Sequence, residues 1–471
     1  MAFRRRQQGI PGLYGGDARG LYGSRSYGRR SMIYGKPPTP LWQKILLAVL
    51  VVIVAVLCVR QFACGGILPK EEPQQQEQVQ QDEQQPQEQP AAVPAGPSGT
   101  ITISAVGDCT LGTDPNLDAD TNFTSVYKTN NAAYFFKRVA KYTEGDDFTI
   151  ANLESAITDE GDFQDKGENS FNFKGPSSYT NILTKGSVEI CGLANNHSFD
   201  YGTDGYADTK KNLKAKGIGY ACSDLVYTAE ANGIKLGFLS VNGTSGYDNA
   251  TEMMTQAVKD LKAEGCNLIV GNFHWGTEAQ YGVDAEQVKL GHAAIDAGVD
   301  LVLGSHPHVL QGVEVYKDRY IVYSLGNFVF GGNDHPMDFT TMIFQQSFTF
   351  ENGELVSDAS LKSARVVPCR VSSTTTINNY QPLPLGGSEG SKIVKDVNKR
   401  SAALKGTGAK FATKLDDEGF ATVNNYQPLP LGGSDGASVI KNVNKRSAAL
   451  KGTGATFATK VDDEGFANLA S

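Results

Sequence analysis

From Thr100 onward, short apolar runs alternate with amphipathic stretches. Strand-like runs stand at "TITISAVG" (100–107), "FTIANL" (148–153), "VEICGLA" (188–194), "KLGFLSVN" (235–242), "CNLIVGNF" (266–273) and "DLVLGS" (300–305). Helical spacing of the apolar positions between them predicts helices near 131–143, 203–216, 252–264 and 284–297. Hairpin-like runs follow at 313–330 and 340–371, the second turning at "ENGE". Strands alternating with helices define an α/β domain, which we place at residues 100–370.

Two flanking patterns differ from this rhythm. Residues 45–59, "ILLAVLVVIVAVLCV", are unbroken apolar sequence; with their flanks, 45–66 is expected to form a transmembrane helix, which needs roughly 20 residues. Trp42 and Lys44 suit one interface and Arg60 the other. After the domain, a tandem duplication of 46-residue period places one copy at 378–423 and a near copy at 424–471. Each has a Pro-rich extended lead, a helix around "IVKDVNKRSAAL" in the first copy, and a turn-rich end.

Charge then assigns sides. Residues 1–44 carry nine Lys/Arg against Asp17, a local balance of +8 in a chain of net −8. A basic arm on an acidic body is compatible with nucleic acid, but the apolar run directly behind it points to a membrane surface instead, and no nucleic-acid partner is expected. By the positive-inside rule the arm, Gly/Arg/Tyr-rich and expected to be disordered, stays cytoplasmic. The Gln/Glu/Pro-rich stretch 67–99 cannot bury a core and acts as a spacer to an extracytoplasmic main domain. Seven cysteines, one within the apolar run and one beside it, make a poor disulfide framework: an odd five remain, so at least one is free or bonded to another chain.

The polar clusters fall at the ends of the expected strands. Asp108 closes "AVGDCTLG", Asn152 and Glu154 lie in "ANLESAI", and Asn195, Asn196, His197 and Asp200 in "GLANNHSFDYG". His274 and Glu278 lie in "GNFHWGTE", His306 and His308 in "GSHPH", and Asn327 in "SLGNF". Open α/β sheets form ligand sites at such carboxyl ends. Carboxylates, amide oxygens and neutral imidazoles with little thiolate suit a divalent ion such as Mn, Fe, Zn or Mg. Pro307 is expected to bias His306 towards extended backbone, so that the side chains of His306 and His308 point the same way. His292 and His335 lie outside the clusters.

Taken in order, "AVGDCTLG", "ANLESAI", "GLANNHSFDYG", "NFHWGTE", "GSHPHVLQG" and "YSLGNFVF" closely resemble the capsule-synthesis protein CapA family, associated with poly-γ-glutamate capsule production, over about residues 100–350. That family resembles the calcineurin-like metallophosphoesterases. The resemblance implies a four-layer αββα sandwich. It also implies metal ligands at Asp108, Glu154, Asn196, His274, His306 and His308, and a catalytic histidine at His197. Two positions depart from the phosphoesterase pattern: Thr110 stands where a histidine is usual, and Glu154 replaces an aspartate.

The reading is a single-pass cell-membrane protein acting in synthesis, export or attachment of an anionic polymer such as poly-γ-glutamate, alongside other membrane capsule-synthesis subunits. Two alternatives stay open: an active metallophosphoesterase on surface phosphodiesters, and a non-catalytic membrane-tethered scaffold. Fold resemblance by itself does not establish hydrolysis.

Overall fold

The computed structural model describes residues 96–117, 120–167 and 170–424. The expected basic arm, the membrane span at 45–66, the spacer up to residue 95 and the second tail copy beyond Asn424 lie outside the described residues. Among the described residues, no helix is long and apolar enough to cross a membrane.

The domain opens with β1 (Gly99–Thr110), α1 (Phe123–Thr129), α2 (Ala140–Thr143) and β2 (Phe148–Leu153). A short pair, β3 (Ala156–Ile157) and β4 (Lys174–Gly175), leads into α3 (Thr180–Lys185), β5 (Ile190–Gly192), α4 (Gly202–Ala215) and β6 (Gly219–Ala221). Next come β7 (Tyr227–Ala231), β8 (Ile234–Asn242), α5 (Tyr247–Ala263), β9 (Leu268–His274), α6 (Ala285–Ala297) and β10 (Leu301–Ser305). The chain continues with β11 (Val313–Tyr316), β12 (Arg319–Val322), β13 (Asn327–Phe330), β14 (Thr340–Glu351) and β15 (Glu354–Leu355). It closes with α7 (Ser357–Lys362), β16 (Arg365–Arg370), β17 (Leu383–Pro384), α8 (Gly387–Ala402) and β18 (Ala421–Thr422).

Two large sheets result. One is ten-stranded along β17-β16-β14-β1-β2-β5-β6, with β13, β15 and β18 attached to β1, β14 and β16. The other is six-stranded, β11-β12-β10-β9-β8-β7. In the first, β1, β2, β5 and β6 run parallel; in the second, β8, β9, β10 and β12 do.

Side-chain alternation separates the layers. Ile101 and Ile103 of β1 share one buried cluster with Phe238 of β8, Leu268 and Val270 of β9, and Leu301 and Leu303 of β10. The intervening residues turn outward: Ile269 and Val302 pack with Met254 and Val258 of α5 and Leu290 of α6. On the far face of the first sheet, Ala151 and Leu153 pack with Phe123, Leu183 and Leu213 from α1, α3 and α4. Strict period-two alternation sends successive residues to opposite faces, which makes the order helix, sheet, sheet, helix. This is an α/β sandwich of four layers.

Several local expectations are revised. The predicted helix at 131–143 is replaced by a single turn of 3-10 helix at Ala132–Tyr134 and the short α2, with α1 lying just upstream. Phe135 stacks on Phe123 at 4.6 Å while its neighbour Phe136 packs on Phe328 at 5.7 Å. Adjacent residues on a regular helix do not share a face, so burying both breaks the helix there. α6 begins where predicted, because Asp284 forms a capping box with Gln287. The five described cysteines, Cys109, Cys191, Cys222, Cys266 and Cys369, are all free.

The first tail copy is part of the sandwich. β17 and β18 both pair with β16, and α8 lays Ile393, Val394 and Val397 into the cluster between the sheets.

Candidate metal centre

The carboxyl ends of parallel strands from both sheets meet at one rim. β1 brings Asp108, β2 brings Asn152 with Glu154 directly after it, and the turn after β5 brings Asn195, Asn196 and His197. From the second sheet, β9 ends on His274, and His306 and His308 follow β10. Asn327 was expected at a strand's carboxyl end; it opens β13 instead, paired with Asp108 of β1.

A break in register aims Asp108. The pairing of β1 with β2 shifts between Val106 and Asp108, a bulge of the kind found beside active sites. Gly107 permits it: a Cβ there would lie 1.9 Å from the Gly326 carbonyl oxygen. The Asp108 carboxylate is fully buried and accepts from Asn152 Nδ2 at 2.9 Å and from the His306 backbone N–H at 3.3 Å.

The two histidines around Pro307 converge differently from the extended arrangement expected. His306 has φ +94° and His308 φ +56°, both in the left-handed region that non-glycine residues rarely adopt. The backbone coils at each histidine, and the ring centroids come to 5.9 Å from one another. Strain of this sort persists only where the surroundings enforce it. Here Asp108 holds the His306 N–H, and Asn327 Oδ1 lies 2.8 Å from His308 Nδ1.

Glu154 is at the centre. It is buried, and neither carboxylate oxygen has a hydrogen-bond partner. Imidazoles face it: His274 Nε2 lies 3.4 Å from Oε1 and His308 Nε2 3.8 Å. Two sets of donor atoms, Glu154/His306/His308 and Asp108/Glu154/His274, each lie within 4.8 Å of one another. Asn196 joins through Oδ1, 2.7 Å from His274 Nε2.

Burial pushes Glu154 well above the usual carboxylate range; His308 opposes this and Asp108 adds to it. Burial and the neighbouring imidazoles hold His274 well below its ordinary value. Burial, then His308, takes His306 down to about 4, against Asp108. For His308 burial acts downward, but Glu154 and Asp108 outweigh it and raise it to about 10. These shifts favour the neutral imidazole at His274 and His306 and retention of a proton between Glu154 and His308.

His197 stands apart from the donor sets. Its Nδ1 lies 2.8 Å from Asp200 Oδ2, its ring packs on Phe173 at 4.7 Å, and its backbone N–H donates to Asn195 Oδ1 at 3.1 Å. Asp200 is buried and also accepts from the Phe173 N–H and from Lys166 Nζ. The Nδ1 contact and the packing on Phe173 fix the orientation of the ring.

The sequence places Asn152 and Asp200 in the polar clusters without assigning them a specific role, and it does not single out Lys166. Asp200 follows His197 by one helical turn, a spacing that signals contact. Asn152 fills the gap between Asp108 and His274, its Nδ2 3.3 Å from His274 Nδ1. Lys166 reaches in from a loop 30 residues upstream of Asn196, and nothing local announces it. Thr110 is buried with its hydroxyl unpartnered. His292 is engaged elsewhere, on Glu314 at 3.0 Å, and His335 is exposed.

Comparison with known proteins agrees with the motif order. Residues 102–332 match the family described as bacterial capsule synthesis protein PGA_cap. The capsule biosynthesis protein CapA of Bacillus anthracis is 30% identical over 260 residues, 49% of this chain and 60% of that protein. The PGA biosynthesis protein CapA of Bacillus subtilis (strain 168) is 30% identical over 224 residues, 44% of this chain and 59% of that protein. The chain thus spans about three fifths of the length of each of these relatives. A solved structure of a hypothetical protein from Thermus thermophilus aligns at 16% identity with TM-score 0.35, covering 57% of this chain and 98% of its own.

Proposed function

We propose that this chain is a single-pass membrane protein whose extracytoplasmic domain acts in synthesis, export or attachment of an anionic capsule polymer, poly-γ-glutamate, through a divalent metal at the strand-end rim. The observation that carries the reading is Glu154, a buried carboxylate with both oxygens unpartnered and imidazoles in front of it. Buried polar groups ordinarily find hydrogen-bond partners, and a carboxylate left without them costs stability unless something cationic meets it.

The residues fit such an ion. Asp108, Glu154, Asn196, His274, His306 and His308 supply oxygen and imidazole donors suited to Mn, Fe, Zn or Mg. Second partners are in place as metal sites require: Asn152 on Asp108 and Asn327 on His308. A divalent ion there would supply Lewis-acid and water-activating chemistry. His197, oriented by Asp200, gives or takes the proton. The net negative charge of the chain disfavours broad capture of an anionic polymer, so contact is confined to the rim, with other membrane capsule-synthesis subunits delivering the chain.

The test is metal content of the purified protein by elemental analysis, set against a His306→Ala/His308→Ala variant, with polymer output of cells carrying each. Bound divalent metal in the parent, and loss of both metal and polymer in the variant, is the expected result. Equal metal content in the two would remove the reading.

The His197–Asp200 pair specifically favours a second reading, an active metallophosphoesterase on surface phosphodiesters. It predicts metal-dependent turnover of a generic phosphodiester that disappears in His197→Ala. No turnover with any of several divalent metals rejects it.

A further inference from the structure

The duplicated tail raises a question that the metal centre does not address: what a second copy is for when one is already built into the fold. The first copy is held along its whole length. Asn378 Nδ2 donates to the Phe330 and Asn333 carbonyls at 2.8 and 3.1 Å, and Tyr380 OH to the Thr121 carbonyl at 2.9 Å. Gln381 donates to the Tyr134 carbonyl at 2.8 Å and accepts from Arg138 at 2.6 Å. Farther along, Arg400 donates to the Leu310 carbonyl at 2.7 Å, Ser401 Oγ accepts from the Val313 N–H at 2.9 Å, and Phe411 is fully buried.

The second copy repeats this anchor set. Residues 378–423 and 424–469 are identical at 36 of 46 positions. Asn424, Tyr426, Gln427, Arg446, Ser447 and Phe457 stand where Asn378, Tyr380, Gln381, Arg400, Ser401 and Phe411 do in the first copy. Of the ten differences, only two fall on buried positions of the first copy, Ile393 and Val394; there the second copy has Val439 and Ile440. That exchange conserves volume across the pair, the kind of core change tolerated best. Two side-chain contacts are lost: Ser391 Oγ to the Thr413 carbonyl, because Ala437 replaces the serine, and the exposed Lys392–Asp396 pair, which becomes Ser438 and Asn442.

We propose that residues 424–469 are a second occupant of the same groove, able to replace residues 378–423 within the same chain. Exchange lengthens the connection after Arg370 from seven residues to 53. Loop-closure entropy then disfavours the second copy by roughly twenty-fold, which leaves the first as the usual occupant. The groove is thus filled by either of two near-equal segments, and a partner that captures the first copy does not leave the core between the sheets uncovered.

The test disables each copy in the full chain. Val397→Asp with Phe411→Ser disables the first, and Val443→Asp with Phe457→Ser the second. The first variant is expected to remain a folded monomer by circular dichroism and light scattering, with lowered stability. The second is expected to match the parent, and the combination to lose cooperative unfolding. A first-copy variant as unfolded as the combination overturns the proposal. One that folds only as a dimer also overturns it, since the replacement then comes from a second chain.

A cysteine trap reads occupancy directly. Arg365 of β16 pairs with Thr422 of β18, and Asn468 is the counterpart of Thr422. Directly opposed antiparallel residues sit within disulfide reach. Arg365→Cys with Asn468→Cys should oxidise within one chain roughly twenty-fold more slowly than Arg365→Cys with Thr422→Cys, and about as fast once the first copy is disabled. If peptide mass spectrometry finds no disulfide joining the two introduced cysteines of the Arg365→Cys/Asn468→Cys protein in the disabled background, the proposal is overturned.

Discussion

The apolar slab between the two sheets and the polar rim at its edge are built on the same strands and follow opposite rules. On β9, Leu268 and Val270 point into the slab, and His274, four residues beyond Val270, is just as buried but surrounded by polar groups. On β1, Ile101 and Ile103 give way to Asp108 across a bulge. The slab is ordinary: branched and aromatic side chains, period-two alternation, close packing. The rim holds two non-glycine residues at positive φ and a carboxylate without hydrogen bonds. Each such feature costs on the order of 1–3 kcal/mol. The slab supplies the stability that lets the rim persist.

Four measurements test this contrast. The largest effect belongs to the slab: Phe344→Ala, at a fully buried ring, should lower unfolding free energy by about 3–5 kcal/mol while metal content per folded protein stays that of the parent. A loss of metal in the folded fraction would mean that slab and rim are not separable. At the rim the sign reverses. Glu154→Met should raise stability in the presence of chelator by about 1–3 kcal/mol, because it replaces an unpartnered buried carboxyl by an apolar group, and should abolish metal binding. A destabilised Glu154→Met protein under chelator would show that the carboxylate holds the apo rim together.

A smaller effect is expected at the opposite, amino-terminal edge of the strands. Burial raises Glu189 to about 7, against the hydrogen bond it accepts from the Thr149 N–H. A carboxyl whose folded value exceeds its unfolded value favours the folded state at low pH, and that contribution disappears as pH rises through about 7. Glu189→Gln keeps an acceptor and removes the charge, so its advantage over the parent should be near zero at pH 4 and grow to on the order of 1 kcal/mol by pH 8. Thermal unfolding at both pH values checks this, and an advantage that shrinks with rising pH would contradict it. Smallest of all, Lys392→Ser with Asp396→Asn installs the second copy's residues at the Lys392–Asp396 pair on α8. Surface pairs contribute little, so stability should change by less than about 0.5 kcal/mol.

Much of the architecture was legible from pattern. Runs such as 148–153 and 300–305 bury both faces in a parallel sheet and read as strands without help from context. α6 was legible because its cap is local. The 131–143 stretch was misread because two adjacent phenylalanines are claimed by different neighbours, Phe123 and Phe328, and neither is visible from the window itself.

From the amino-acid sequence alone one could read that polar residue types cluster near strand ends, since residue type and short-range period give both. The sequence also shows that the tail is duplicated. It took the fold to bring the strand ends of two different sheets to one rim, to strand Glu154 there among imidazoles, and to set Asn152, Asp200 and Lys166 against the others. The fold likewise decided that His306 and His308 converge through left-handed backbone, although Pro307 had suggested extension. The reason is physical: periodicity reports which face a side chain takes, whereas a carboxylate's partners and a strained φ are set by groups up to 198 residues away, as between Asp108 and His306.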